Sequence, residues 1–335
     1  MFPERWRVMR KLILCVLLLS VLCSCSAAPV RREFFAMDTV VTLEAYGDSA
    51  ALDAAQAEIL RLEQLFSIGN PQSDVARLNA QGALTLSPET AALLAAAREI
   101  SLASGGALDI TIGPVVRLWG WYDGAPAVPD AAELAAALAL VDFERLRLEG
   151  LEATLETPGM AVDLGGIAKG YAAGSAAMVL RDQGVTSALL NLGGNIRAVG
   201  AKPDGSPWVV GIADPDNPGG YCGTVEVTDC AVVTSGDYQR YFIQDGQTYH
   251  HIFDPETGFP VETSLRSVTV LCKDDTWADG LSTALFVLGM EDGAALWRSC
   301  PVDFEAVFLT DDGISITEGL VGQFHCQEGY EVIAQ

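Results

Sequence analysis

The chain has 335 residues, with 44 Asp and Glu against 20 Lys and Arg, a formal net charge of −24 and a hydrophobic half. So acidic a body excludes a nucleic-acid binder, which needs a basic face. It also excludes unaided docking on anionic lipid, and the apolar half is ample for the core of one large domain or two intimate ones.

The N-terminus carries Arg5, Arg7, Arg10 and Lys11, followed by an apolar run from Leu12 to Cys23. That run is short for a bilayer span, which needs roughly 20 apolar residues. Basic first and apolar second is the layout of an export signal. Residues 1–24 are expected to be removed, and residues 25–34 to act as a tether. Loss of the leader makes the body still more acidic, since it holds four basic residues and only Glu4.

Val40 to Ala45 alternates apolar and polar residues and predicts a strand. Apolar residues at helical spacing over Ala50–Phe66 predict a helix. Ser87-Pro88-Glu89 is a helix start with Ser87 as N-cap and Pro88 in the first turn; that helix should reach about Ala103 and stop at Gly105. Asp109 to Trp121 is a loop or short helix, and Asp130 to Leu140 a further helix. After Gly166 a helix runs to about Gln183, where Gly184 ends it. Strands follow at Ala188–Leu192, Ile196–Val199, Trp208–Ile212, Thr224–Val227, Ala231–Ser235, Tyr241–Gln244 and Ser267–Leu271. A helix over Trp277–Leu288 should end at Gly289. Phe304–Leu309 and Ile314–Ile316 form a hairpin with its turn at Asp312-Gly313. Helices flanking an antiparallel-rich sheet give an α+β fold. The five cysteines of the body beyond Cys25, namely Cys222, Cys230, Cys272, Cys300 and Cys326, have no C-x-x-C spacing, so zinc is not expected.

The segment from Asp163 to Tyr171 (Asp-Leu-Gly-Gly-Ile-Ala-Lys-Gly-Tyr) concentrates the chemistry. Its glycines permit close backbone approach. A helix starting there aims N–H groups and a positive dipole end outward, and Lys169 adds a cation. A phosphorylated ligand, such as a nucleotide, fits; so does a loop packed tightly under a helix. In an acidic protein such a ligand calls for a divalent cation. Asp279 and Thr283, four apart on a helix, share one face and are hard oxygen ligands suited to magnesium. They equally suit a dipole-stabilising Asp and a back-bonded Thr. His250 and His251 precede an Asp254-Pro255-Glu256-Thr257-Gly258 turn. On a strand over Tyr249–Phe253 each faces a different side, as a general base or as a satisfied strand histidine. Tyr171, Trp119 and Trp121 are candidates to stack on a ring.

Taken together and in order, Ala36–Thr39, Gly105–Gly120, Asp163–Tyr171, Asn191–Asn195, Thr234–Tyr238, His251–Pro255 and Ala278–Thr283 resemble the ApbE family of FAD:protein FMN transferases. The likeness spans residues 35–335. It implies an α+β, T-fold-related architecture of mixed sheets with flanking helices and an FAD cleft between lobes. The implied reaction is magnesium-dependent transfer of FMN from FAD to a Thr or Ser hydroxyl of an exported or membrane-bound acceptor protein, releasing AMP. The resemblance places magnesium on Asp279, Thr283 and the Gly166 carbonyl. It places FAD against Met37, Ala107, Leu108, Asp109, Asp163, Lys169 and Ile252, and makes His251 the base for the acceptor hydroxyl. Leu22-Cys23-Ser24-Cys25 resembles a bacterial lipoprotein signal, which implies lipidation of Cys25 and anchoring on the outer face of the cell membrane. One departure is Gly69, where several family members carry a tyrosine; it cannot stack on a flavin.

Overall fold

The computed structural model describes residues 28–122 and 124–335. The leader and Cys25 lie outside the described residues. The elements in chain order are β1 (Val30–Ala36), β2 (Thr39–Ala45), α1 (Ser49–Phe66), α2 (Asp74–Gln81), β3 (Ala83–Thr85), α3 (Pro88–Ala103), α4 (Gly113–Leu118), α5 (Ala131–Leu138), β4 (Leu146–Glu149), β5 (Glu152–Leu155), α6 (Ala168–Asp182), β6 (Ala188–Leu192), β7 (Asn195–Val199), β8 (Trp208–Ala213), β9 (Tyr221–Val227), β10 (Ala231–Gly236), β11 (Tyr241–Gln244), β12 (Gln247–His250), β13 (Leu265–Cys272), α7 (Asp275–Ser299), β14 (Phe304–Thr310), β15 (Gly313–Thr317), β16 (Phe324–His325) and β17 (Glu331–Ile333).

A nine-stranded sheet in the order β1-β2-β6-β7-β10-β13-β14-β15-β17 forms the spine. It is antiparallel except for the β15–β17 pair. Its inner face packs under α1, α6 and α7, through residues such as Leu43, Leu52, Leu190, Val268 and Phe286, each with no exposure. Complete burial of one such side chain contributes about 1.5–3 kcal/mol. The small sheet β16-β9-β8 covers part of the outer face around Trp208, Val225 and Ile316. A third cluster, centred on Trp119, Leu134 and Phe253, joins α4 and α5 to the β11–β12 hairpin. The α+β class expected from the pattern is the one observed.

Two expectations differ, and a third is met and extended. The tether over residues 25–34 gives way to strand from Val30, because the alternation in Val30–Ala36 lets β1 pair with β2 along its whole length. The first helical stretch of α7 does stop at Gly289 as expected, since Gly289 adopts φ 75° and ψ −171°, outside the helical region and open to glycine; a second helical stretch then runs on across the kink to Ser299. In the β14–β15 hairpin Thr310 pairs with Gly313, so the turn residues are Asp311 and Asp312.

Strand direction gathers the motifs. The connection from α6 to β6 is short, so α6 begins at the sheet end where β6 finishes. That end also holds the Met37-Asp38 turn, the Gly193-Gly194 turn and the last residues of β10. Met37 and Asp38 adopt φ 51° and 57°, the left-handed pair of a tight hairpin turn. A side chain on Gly193 would come within 2.2 Å of Thr39 Oγ1, so the two turns lie against each other.

Candidate active site

The seam between α6 and α7 is the centre of the site. The Gly170 amide donates to Asp279 Oδ2 at 2.8 Å. A Cβ on Gly170 would lie 2.2 Å from the Asp275 carbonyl oxygen and 2.6 Å from Asp279 Cβ. Only glycine lets these helices approach so closely. One turn further along α7, Thr283 Oγ1 lies 3.5 Å from the Gly166 carbonyl oxygen. The three groups named from the sequence, Gly166, Asp279 and Thr283, therefore converge. Asp279 is 3% exposed, and one of its oxygens is uncommitted among the described hydrogen bonds. Ser282, between the two, bonds the Asp279 carbonyl and Ser235 Oγ, each at 2.8 Å, which ties this stretch of α7 to the end of β10.

A carboxylate, a hydroxyl and a carbonyl are the donors a hard divalent cation takes. Among the described residues no group of three or more His, Cys, Asp or Glu is placed to hold a metal. A cation on this seam would thus have one protein carboxylate and room for phosphate oxygens and water. The donor set fits magnesium.

Part of the expected fan of free N–H groups at the start of α6 is already occupied. The Ile167 and Ala168 amides both bond the Leu164 carbonyl, and Gly170 bonds Asp279. A carboxylate from α7 has taken the place a ligand phosphate would hold, as the dipole favours. Lys169 remains half-buried at the rim, its Nζ 3.3 Å from the Gly165 carbonyl.

Asp163 accepts from the Gly165 amide at 2.6 Å and from the Tyr122 hydroxyl at 2.5 Å. Burial and the adjacent carboxylate hold the Tyr122 phenol well above its usual range. Ala107, Leu108 and Asp109 are buried rather than set on the surface of the cleft. Asp109 accepts from the Thr111 amide and hydroxyl at 2.7 and 2.6 Å and from the Phe143 amide at 3.0 Å. Its carboxylate is consumed in closing its own loop, and burial pushes its pKa up. Leu108 fits beneath Gly166 and Gly280. These side chains support the site instead of facing a ligand. Met37 stands at the tip of its turn, where its amide donates to Glu63 at 2.6 Å.

The two histidines separate by role. His250 Nε2 donates to the Val261 carbonyl at 3.1 Å while its Nδ1 accepts from the Ile252 amide at 3.2 Å. It is a satisfied structural residue, and Ile252 is buried beside it. His251 uses only Nδ1, 3.2 Å from the Arg240 carbonyl. That bond makes Nδ1 the protonated nitrogen and leaves the Nε2 lone pair available. Burial, then the Arg240 and Lys169 cations, push the imidazole down to about 3. Trp121 packs edge-on against His251 with ring centroids 6.1 Å apart, and Arg240 lies 5.7 Å above the Trp121 ring. Trp119 is fully buried with its Nε1 on the Gly258 carbonyl, and Tyr171 packs on Phe66. Of the proposed stacking residues, only Trp121 stands beside the catalytic candidates.

Tyr122, Arg240, Glu63 and the Ser235–Ser282 pair were not foreseen. Each depends on a partner 11 to 47 residues away in the chain, which periodicity does not register. Adjacency to Trp121 was the one available signal for Tyr122.

The groups gathered here, hard oxygen donors on the α6–α7 seam together with Lys169 and an imidazole, are of the kinds a phosphorylated ligand and a hard cation would suit. Residues 37–308 match the model of the ApbE family. An FAD:protein FMN transferase of Treponema pallidum is 37% identical over 327 residues, covering 88% of this chain and 90% of that protein. One from Klebsiella pneumoniae is 36% identical over 281 residues, covering 82% and 87%. Among solved structures, the ApbE protein of Thermotoga maritima superposes with a TM-score of 0.82 at 30% identity, covering 88% of this chain and 99% of that one. The flavin transferase ApbE of Vibrio cholerae gives 0.75 at 31% identity, covering 90% and 97%. The chain belongs to the ApbE family and is a transferase.

Proposed function

We propose that the protein is a magnesium-dependent FAD:protein FMN transferase, moving FMN from FAD to a threonine or serine hydroxyl of an exported or membrane-bound acceptor and releasing AMP. The observation that carries this reading is the meeting of Gly166, Asp279 and Thr283 on one seam, with Lys169 on the first turn of the same helix α6.

Magnesium held by the Asp279 carboxylate, the Thr283 hydroxyl and the Gly166 carbonyl supplies charge neutralisation for a pyrophosphate. Lys169 adds a positive charge toward the bridging oxygen as AMP departs. The acceptor hydroxyl is a weak nucleophile until its proton is taken. His251 Nε2 takes that proton while the acceptor oxygen bonds to the FMN phosphorus. The bond from that phosphorus to the bridging oxygen breaks, and its electron pair leaves with AMP. Asp163, braced by Tyr122 and Gly165, and the Met37 turn border the volume for FAD.

The leader pattern and Cys25 support export and lipid anchoring on the outer face of the membrane. Among the described residues no helix is long and apolar enough to cross a membrane. One assay tests the reading. The protein is incubated with FAD and Mg²⁺, with and without acceptor, and AMP and gel-retained flavin fluorescence are followed. AMP with a fluorescent acceptor supports transfer. AMP without bound flavin replaces it with FAD pyrophosphatase activity, the outcome that Gly69 in place of an aromatic residue would favour. No AMP leaves a flavin-binding protein.

A further inference from the structure

We propose that the outer edge of β11 is the docking strip for an extended segment of the acceptor protein. The inference rests on the transferase reading, in which a polypeptide must bring a hydroxyl to His251 Nε2.

The hairpin register sets the geometry. Tyr241 pairs with His250, Phe242 with Tyr249, Ile243 with Thr248 and Gln244 with Gln247. One step beyond, the His251 amide donates to the Arg240 carbonyl at 3.1 Å. In an antiparallel ladder bonded and non-bonded pairs alternate. Arg240–His251 is bonded, so Phe242–Tyr249 and Gln244–Gln247 are too, and Tyr241–His250 and Ile243–Thr248 are not. The N–H and C=O of Tyr241 and Ile243 therefore point away from β12. The sheet has only these two strands, and no described backbone group bonds the outward groups of Tyr241 and Ile243.

A free edge is a template for another strand. Here it is also apolar: Tyr241 is 52% and Ile243 64% exposed. The opposite face is anchored, with Phe242 and Tyr249 packed on Trp119 at 6.2 and 5.6 Å between ring centroids. The strip is thus held firmly while its edge stays open, and its end lies at the base. A segment of three residues laid along β11 covers about 10 Å. The next residue or two in the same line pass Arg240 and reach His251, where the hydroxyl is needed. Continuity between edge and base argues for the acceptor as occupant.

The test uses the whole exported chain, with FAD, Mg²⁺ and a purified exported FMN-binding domain carrying one acceptor threonine as probe. Ile243→Pro removes one outward N–H and the Ile side chain, and proline is tolerated at an edge where the lost N–H faces outward. A second variant, Tyr241→Ser with Ile243→Ser, keeps the backbone groups and removes the apolar contacts. Both are expected to raise the KM for the acceptor domain about tenfold or more, with FAD affinity, measured by flavin fluorescence quenching, within about twofold of wild type. Hydrogen exchange of the Tyr241 and Ile243 amides should slow when the acceptor domain is added. Unchanged acceptor KM in both variants, or an equal loss of FAD affinity, overturns the proposal. So does sedimentation showing that this edge pairs with a second copy of the chain. If the wild type leaves no flavin on the acceptor, the transferase reading itself fails and the docking strip falls with it.

Discussion

Gly170 and Asp279 touch across the seam of α6 and α7, the glycine amide donating to the carboxylate at 2.8 Å. The contact does two things. It caps the positive end of α6 with a carboxylate, and it fixes that carboxylate one turn from Thr283, beside the Gly166 carbonyl. Helix packing and ligand geometry are the same structural fact.

Gly170→Ala tests it. A Cβ would meet backbone and Asp279 Cβ at 2.2 and 2.6 Å, so the helices must part. The expected cost is about 1–3 kcal/mol, read as a lower urea midpoint, together with a higher Mg²⁺ requirement for AMP release. A wild-type midpoint and Mg²⁺ response would show that the close approach does not matter.

His251→Ala should bind FAD normally and lose transfer by about 10²–10⁴-fold, the usual range for general-base help. Single-turnover flavinylation alongside FAD quenching separates the two. Normal transfer by the variant removes His251 from the mechanism.

The pH dependence follows from burial. In the free protein His251 is held down to about 3, so it should stay neutral, with no titration near 6.5, when followed by imidazole NMR. An anionic pyrophosphate beside Lys169 and Arg240 opposes their cationic influence and should raise that value in the FAD complex. For stability, the unfolded histidine binds a proton below about 6.5 while the folded one does not until about 3. This group therefore lowers stability as pH falls through that window. A free-protein titration near 6.5 would contradict the lowering by desolvation and by the Arg240 and Lys169 cations.

Tyr122→Phe removes the hydroxyl that braces Asp163. A several-fold rise in the KM for FAD is expected, about 1 kcal/mol for one lost hydrogen bond, with little change in kcat. An unchanged KM would mean that the pair is only structural.

Much of this was legible because it was local. Ser87 caps its helix and Pro88 opens it as the sequence chemistry requires, and the spacing of Asp279 and Thr283 fixed their shared helix face. What stayed hidden depended on distant partners. Asp109 reads as a free loop carboxylate until Phe143 and Thr111 close on it. The two histidines are equivalent by residue pattern, and only the family resemblance set His251 apart. The Val261 carbonyl and Arg240 make one structural and leave the other a free nitrogen. The start of α6 looked like an open anion site because its capping carboxylate is 109 residues away.

The central claim is that a cation gripped by Gly166, Asp279 and Thr283 makes the FAD pyrophosphate cleavable. Its most direct test is AMP release from FAD as Mg²⁺ is titrated into chelator-treated wild type and Asp279→Ala. Wild type should be silent without metal and recover with it, while the variant stays at least about 100-fold slower at every Mg²⁺ concentration. A variant that cleaves FAD at the wild-type rate with chelator present would contradict the account.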